Sequence, residues 1–132
     1  MSELLAGLDI GTSAVKGIAI DRDGRVAAIA EAAYPLSTPR PGWAEQDPQD
    51  WWVATQAVLD ALRAKAGPPS AIGLSGQMHG LVALDAEGRV LRPAILWNDQ
   101  RTACVATHQS SGSSSRICSA FANSHSEEIR PP

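Results

Sequence analysis

The chain has 132 residues, 44% hydrophobic and 19% charged, with a formal net charge of −3, which suits a single domain able to form a core. An acidic balance without a basic run argues against nucleic acid and anionic membrane as main partners and leaves small molecules. Met1-Ser2-Glu3-Leu4-Leu5 carries no basic leader and Asp9 interrupts the first apolar stretch, so neither an export signal nor a membrane span is expected and the reading is cytoplasmic.

Residues 4–10 and 15–20 are short runs rich in Leu, Ile and Val, joined by Gly11-Thr12-Ser13, the pattern of two adjacent antiparallel strands. Asp9 lies inside the first run, where burial would strip its water unless a cation or hydrogen-bond donors compensate. Gly11 lets the backbone approach a ligand, and Thr12 and Ser13 offer hydroxyl and amide donors, so the turn suits a phosphate with its magnesium. The same residues suit an ordinary hairpin in which Asp9 hydrogen-bonds its own turn. Lys16 does not follow a glycine in strand-loop-helix order, and no G-x-G-x-x-G is present, so a P-loop and a dinucleotide fingerprint are both excluded.

Asp21-Arg22-Asp23-Gly24 supplies a tight turn, and residues 25–33 return as a third strand of a meander. Pro35, Pro39 and Pro41 make residues 34–42 an extended connector. Asp47 then caps a helix with Pro48 at its first position, Asp50 at its positive end, and Trp51, Ala54, Val58 and Leu62 on one stripe, while Gly67-Pro68-Pro69 ends it. The helix tryptophans read as packing residues rather than ligand contacts.

Residues 71–75 read as a buried strand, parallel to an earlier one through a right-handed crossover, which makes the architecture α/β. The strand runs into Gly76-Gln77-Met78-His79-Gly80, where the glycines free Gln77 and His79 to project into a cleft at the carboxyl end of a parallel strand. A lone His79 also suits an incidental hydrogen-bonded surface position. Asp85-Ala86-Glu87-Gly88-Arg89-Val90 repeats the earlier turn chemistry after the apolar residues 81–84. Residues 94–97 form another short strand that ends in Asn98-Asp99-Gln100-Arg101, a polar cluster that alone suits a solvated helix start. Cys104 and Cys118 read as free thiols, and their spacing from His108 does not suit a metal site.

Four stretches, Leu8-Asp9-Ile10-Gly11-Thr12-Ser13, Gly42-Trp43-Ala44-Glu45-Gln46-Asp47-Pro48, Gly73-Leu74-Ser75-Gly76-Gln77-Met78-His79-Gly80 and Leu96-Trp97-Asn98-Asp99-Gln100-Arg101, follow in the order and approximate spacing of one family. Together they resemble the amino-terminal part of the FGGY carbohydrate kinases, which include glycerol, gluconate and ribulose kinases, and the last two favour the xylulokinase branch. The resemblance implies a ribonuclease H-like, actin/hexokinase-like ATPase fold, with ATP and magnesium as cofactors and D-xylulose or a similar ketose as substrate. It implies that Asp9 orders the magnesium-bound phosphates, through water at the metal, and that Gly11, Thr12, Ser13 and Lys16 lie toward the nucleotide. Gln77, Met78, His79, Asn98 and Asp99 are then the residues near the sugar. A kinase of another FGGY branch and a non-catalytic actin-like assembly module are the alternatives.

The resemblance covers about residues 3–101, taken as a partial amino-terminal domain, and residues 102–132 form a second, Ser-rich segment expected to be disordered and to stem from a frameshift or truncation. The family's general-base aspartate and second lobe lie beyond the matched part, so the chain alone is expected to be inactive, with an uncovered apolar face prone to self-association.

Overall fold

The structure, a computed structural model, describes residues 3–102; Cys104, Cys118, His108 and the rest of the Ser-rich segment from residue 103 lie outside them. Strands β1 (Leu5–Ile10), β2 (Ala14–Ile20) and β3 (Val26–Ala33) form the expected meander. After a two-residue strand β4 (Glu45–Gln46) come helix α1 (Pro48–Ala66), strand β5 (Ala71–Gly76) and a two-residue strand β6 (Ala94–Ile95). The main sheet has the order β3-β2-β1-β5, antiparallel except for the parallel pair of β1 and β5, and β4 pairs with β6 in a separate antiparallel ribbon.

Strand alternation sorts the side chains. Ala6 and Leu8 of β1, Val15, Gly17 and Ala19 of β2, and Ala28 and Ala30 of β3 are buried on one face. Helix α1 covers that face with Ala54, Val58 and Leu62, while Trp51 at the head of the same stripe is partly buried. Asp47 caps the helix by accepting from the Gln49 N–H at 2.9 Å, and Pro48 opens it as the sequence requires. Trp52 departs from the packing reading: it is 56% exposed, because its position in the turn carries it away from the stripe.

Two further expectations are corrected. The strand at residues 71–75 is exposed along its whole length, with Leu74 at 71%, because β5 is the outer strand and α1 packs on β2 and β3, reaching only as far as β1. The strand expected over residues 94–97 is regular only at Ala94–Ile95, since its pairing is with β4 rather than with the main sheet and Trp97-Asn98 already form a turn. No sequence signal marked β4; Glu45 and Gln46 are buried polar residues whose partners come from distant segments.

Gly17 is where helix and sheet come closest, since a Cβ there would overlap Val58 Cγ1 and press on Leu62 Cδ1 and Leu8 Cδ2. All three neighbours are buried, so little can yield. Gly17→Ala is expected to destabilise the fold by about 1–3 kcal/mol, read as a lowered denaturant midpoint at unchanged slope.

Candidate functional site

Because residues alternate along β1, Asp9 emerges on the face opposite α1, with Lys16 its register partner on β2 and Ser75 its register partner on β5. These three polar side chains line a shallow concavity of about 510 Å³ together with apolar residues that include Ile18 and Ile29. Asp9 is exposed, which corrects the expectation that a carboxylate in this run loses its water: the outer face of the sheet carries no second layer among the described residues. Ser75 was not singled out in the sequence, and only the parallel register with β1 brings it beside Asp9.

The strand ends converge above this concavity. The Gly11 N–H closes the turn on the Ala14 carbonyl at 3.0 Å, and the Tyr34 hydroxyl donates to the Gly11 carbonyl. Burial, and after it the negative charge of Asp9, push the Tyr34 hydroxyl above its ordinary pKa, so it stays a proton donor to that turn. Thr12 is gripped from two sides: its carbonyl accepts from Gln46 Nε2 at 2.7 Å and its hydroxyl accepts from the Trp97 indole N–H at 3.1 Å. As an acceptor, the Thr12 hydroxyl keeps its own proton to give. Ser13 is exposed on the same turn.

At the end of β5 the Gln77 N–H donates to the Ile10 carbonyl at 2.9 Å, and four residues on Leu81 exchanges both backbone hydrogen bonds with Ile95. Between these pins Met78 and His79 arch outward, Met78 at 70% exposure and His79 exposed with φ +61°. A histidine in this left-handed conformation costs on the order of 1 kcal/mol, which the two anchored flanks sustain. The Gln77 side chain donates through Nε2 to Gln46 Oε1 at 3.3 Å, while its buried Oε1 has no hydrogen-bond partner among the described residues. Neither Met78 nor His79 lines the concavity that holds Asp9.

The polar cluster at residues 98–101 splits. Asn98 is exposed in the turn beside Trp97, whereas Asp99 is 2% exposed. Asp99 Oδ2 accepts from the Ala44 N–H at 2.7 Å and from the Arg101 guanidinium at 2.6 Å, and its Oδ1 accepts from Arg101 Nε and the Arg101 N–H. Arg101 also reaches Glu45 at 2.6 Å, lies over the Trp43 ring at 3.5 Å, and shares Glu45 with Arg92 at 2.9 Å. Burial opposes ionisation of Asp99, but the hydrogen bonds from the Arg101 side chain and the Ala44 and Arg101 N–H groups, with the Arg101 charge, outweigh it and hold the carboxyl at about 2.

Among the described residues no group of three or more His, Cys, Asp or Glu is arranged to hold a metal. A single exposed carboxylate next to a donor-rich turn fits magnesium, which keeps several waters and takes one or two carboxylates beside the phosphates of its nucleotide. No helix among the described residues is long and apolar enough to cross a membrane.

Asp99 has a folded-state pKa below its unfolded value, so it contributes stability fully above about pH 4 and loses it as the pH falls toward 2. The melting temperature is expected to drop across that window, and Asp99→Ala is expected to flatten this part of the profile. At pH 7 Asp99→Ala should cost about 3 kcal/mol in chemical denaturation, because Arg101 and the Ala44 N–H are left buried without it.

Residues 4–121 match the FGGY family of carbohydrate kinases, N-terminal domain. The xylulose kinase of Escherichia coli (strain K12) is 48% identical over 99 residues, 74% of this chain and 20% of the relative; that of Bacillus subtilis (strain 168) is 47% identical over 100 residues, 73% and 20%. The crystal structure of a xyloylose kinase from Brucella ovis superposes with a TM-score of 0.71 at 48% identity, covering 75% of this chain and 22% of that one. The chain therefore spans about a fifth of the length of the curated relatives it matches. On the family match, and with the sheet and helix of the actin/hexokinase-like ATPase fold found in those kinases, the chain belongs to the FGGY family of carbohydrate kinases and lies within their N-terminal domain.

Proposed function

We propose that this chain is the phosphate-positioning and sugar-recognising part of a cytoplasmic, ATP-dependent kinase that converts D-xylulose to D-xylulose 5-phosphate. The observation that carries the reading is the convergence at one sheet end of the Gly11–Ser13 turn, the Gln77–His79 loop and Trp97, beside the Asp9 carboxylate. Phosphoryl transfer needs positioning and charge neutralisation more than covalent chemistry from the protein; these elements supply the positioning, and the neutralisation falls to Lys16 and to the magnesium that Asp9 would hold.

In this reading Asp9 would hold magnesium through water, and the ion when bound would supply neutralisation of phosphate charge. The N–H groups and hydroxyls of Thr12 and Ser13 face the phosphates on the turn that the Gly11 N–H closes, Gly11 letting the backbone come close to them, with Lys16 the cation across the strand from Asp9. Gln77, through its buried Oε1, is the acceptor for a sugar hydroxyl, and Met78 and His79 present an apolar edge and an imidazole to the ketose. Asn98 reaches the sugar from the turn after Trp97, while Asp99 serves it by fixing that turn from below. Recognition of a polyol through a few directional groups on pinned loops follows from such a layout.

Two measurements test this. D-xylulose is expected to raise the melting temperature of the chain and His79→Ala to abolish the rise, while Asp9→Asn leaves the sugar effect intact and weakens MgATP binding about tenfold, one charged contact. A coupled assay of the chain alone is expected to show turnover far below the roughly 1–100 per second of ordinary kinases. Sugar binding that survives His79→Ala would overturn the assignment of the loop.

The partner reading extends to a second copy of the chain. The β3 edge is guarded by Lys65, whose Nζ donates to the Ile29 carbonyl at 2.8 Å, and by Glu31, whereas β5 offers Ala71–Gly76 with no charge or proline. Leu74 and Ile72 stand exposed on that strand. Light scattering is expected to show concentration-dependent self-association, reduced by Leu74→Lys.

A further inference from the structure

We propose that Gln46 is a positioning residue that holds the phosphate-facing turn at Thr12 and the sugar-facing loop at Gln77 in one fixed spacing. The identity of the two ligands rests on the function proposed above; the coupling of the two segments rests on the hydrogen bonds alone. Gln46 is only 2% exposed, and its carboxamide has two N–H donors and two acceptor lone pairs. All four are used. Nε2 donates to the Thr12 carbonyl at 2.7 Å and to the Pro35 carbonyl at 3.2 Å, and Oε1 accepts from Trp51 Nε1 at 3.0 Å and from Gln77 Nε2 at 3.3 Å.

These partners lie 34, 11, 5 and 31 residues away in sequence, so one side chain joins the turn after β1, the start of the proline connector, the first turn of α1 and the end of β5. The orientation of the amide is forced. Turned over, its oxygen would face two carbonyls and its NH2 would face two N–H donors. The Gln46 backbone is held as well, paired in β4 with Ala94 of β6 and followed at once by the helix cap Asp47. The anchor thus cannot drift with the loops it holds.

Two consequences reach the site. Fixing Gln77 Nε2 on Gln46 determines which atom of that amide remains for another partner, namely the buried Oε1. Fixing the Thr12 carbonyl fixes the hydroxyl on which the Trp97 indole N–H rests, although Trp97 is not one of the four partners of the Gln46 amide. A residue that only fills space would transmit neither effect.

The test uses amide and indole hydrogen exchange by NMR on the whole chain, with no ligand. In Gln46→Met, which keeps volume and removes every polar bond, the Gly11 and Gln77 N–H groups are expected to exchange at least about tenfold faster, and the Trp97 indole signal to move. Protection at Leu8, in the strand paired on both sides, is expected to hold within about twofold. Gln46→Glu keeps the acceptor for Trp51 and loses both donors, so it should release Gly11 and Trp97 and leave the Trp51 indole in place. The proposal is overturned if Gly11, Gln77 and Trp97 stay at wild-type values while only Trp51 moves. It is equally overturned if Leu8 loses protection in both variants, since Gln46 is then a general core residue. Failure of D-xylulose and MgATP to bind the unaltered chain would remove the ligand assignment and leave these exchange results decisive.

Discussion

Strand β1 is hydrogen-bonded on both edges, antiparallel to β2 and parallel to β5, and this double pairing sets the geometry of everything that faces a ligand. Its last residue, Ile10, stands level with Val15 on one side and Gly76 on the other. The turn at Gly11 and the loop at Gln77 consequently leave the sheet at the same height. The two-residue period of the same strand sends Leu8 into the core and Asp9 to the opposite face, between Lys16 and Ser75. A slip of one residue would exchange these faces, burying the carboxylate against α1 and exposing Leu8, so the apolar face protects the register of the polar one.

A second layer of polar contacts stands behind the loops and differs in character from the sheet. The cluster of Glu45, Asp99, Arg92 and Arg101 joins the β4–β6 ribbon to the turn that carries Trp97. Taking such charges out of water offsets most of their attraction, so the cluster contributes less to net stability than its short distances suggest. What it does provide is direction: a planar guanidinium meeting a carboxylate through two N–H groups admits one arrangement, and the Ala44 N–H on the same carboxylate fixes the neighbouring segment. Lysine at position 101 would keep the charge and lose that geometry.

Much of this was legible in the chain. The meander, the capped helix from Pro48 and its stripe through Ala54, Val58 and Leu62 follow from local turn, cap and period rules that need no tertiary knowledge, and the structure agrees with them to within a residue. The overestimates of burial at residues 71–75 and at Asp9 share one cause, the assumption that an apolar run is a covered one. Residues 71–75 carry the pattern of a buried strand, but burial depends on what packs above them, and α1 stops short. The desolvation expected of Asp9 holds only if its run is covered, and on the outer face of the sheet it is not. The β4–β6 ribbon escaped notice because a two-residue strand has no period, and Gln46 because a saturated amide hub is a property of four distant segments, visible only once they meet.

The split of the Asn98-Asp99 pair shows how one short motif serves two layers. Adjacent residues in a tight turn point apart, so Asn98 reaches outward while Asp99 turns under to Arg101 and Ala44. Trp97, one residue earlier, lays its indole N–H on Thr12. The outward groups of the site therefore each lie within two residues of an anchored one: Trp97 and Asn98 of Asp99, Met78 and His79 of Gln77. Such an arrangement lets exposed side chains meet a small polar ligand without first being ordered, since the entropy of fixing their backbone is already met by their neighbours. The left-handed His79 fits the same logic, because a strained conformation persists only where the flanking residues leave the chain no cheaper path.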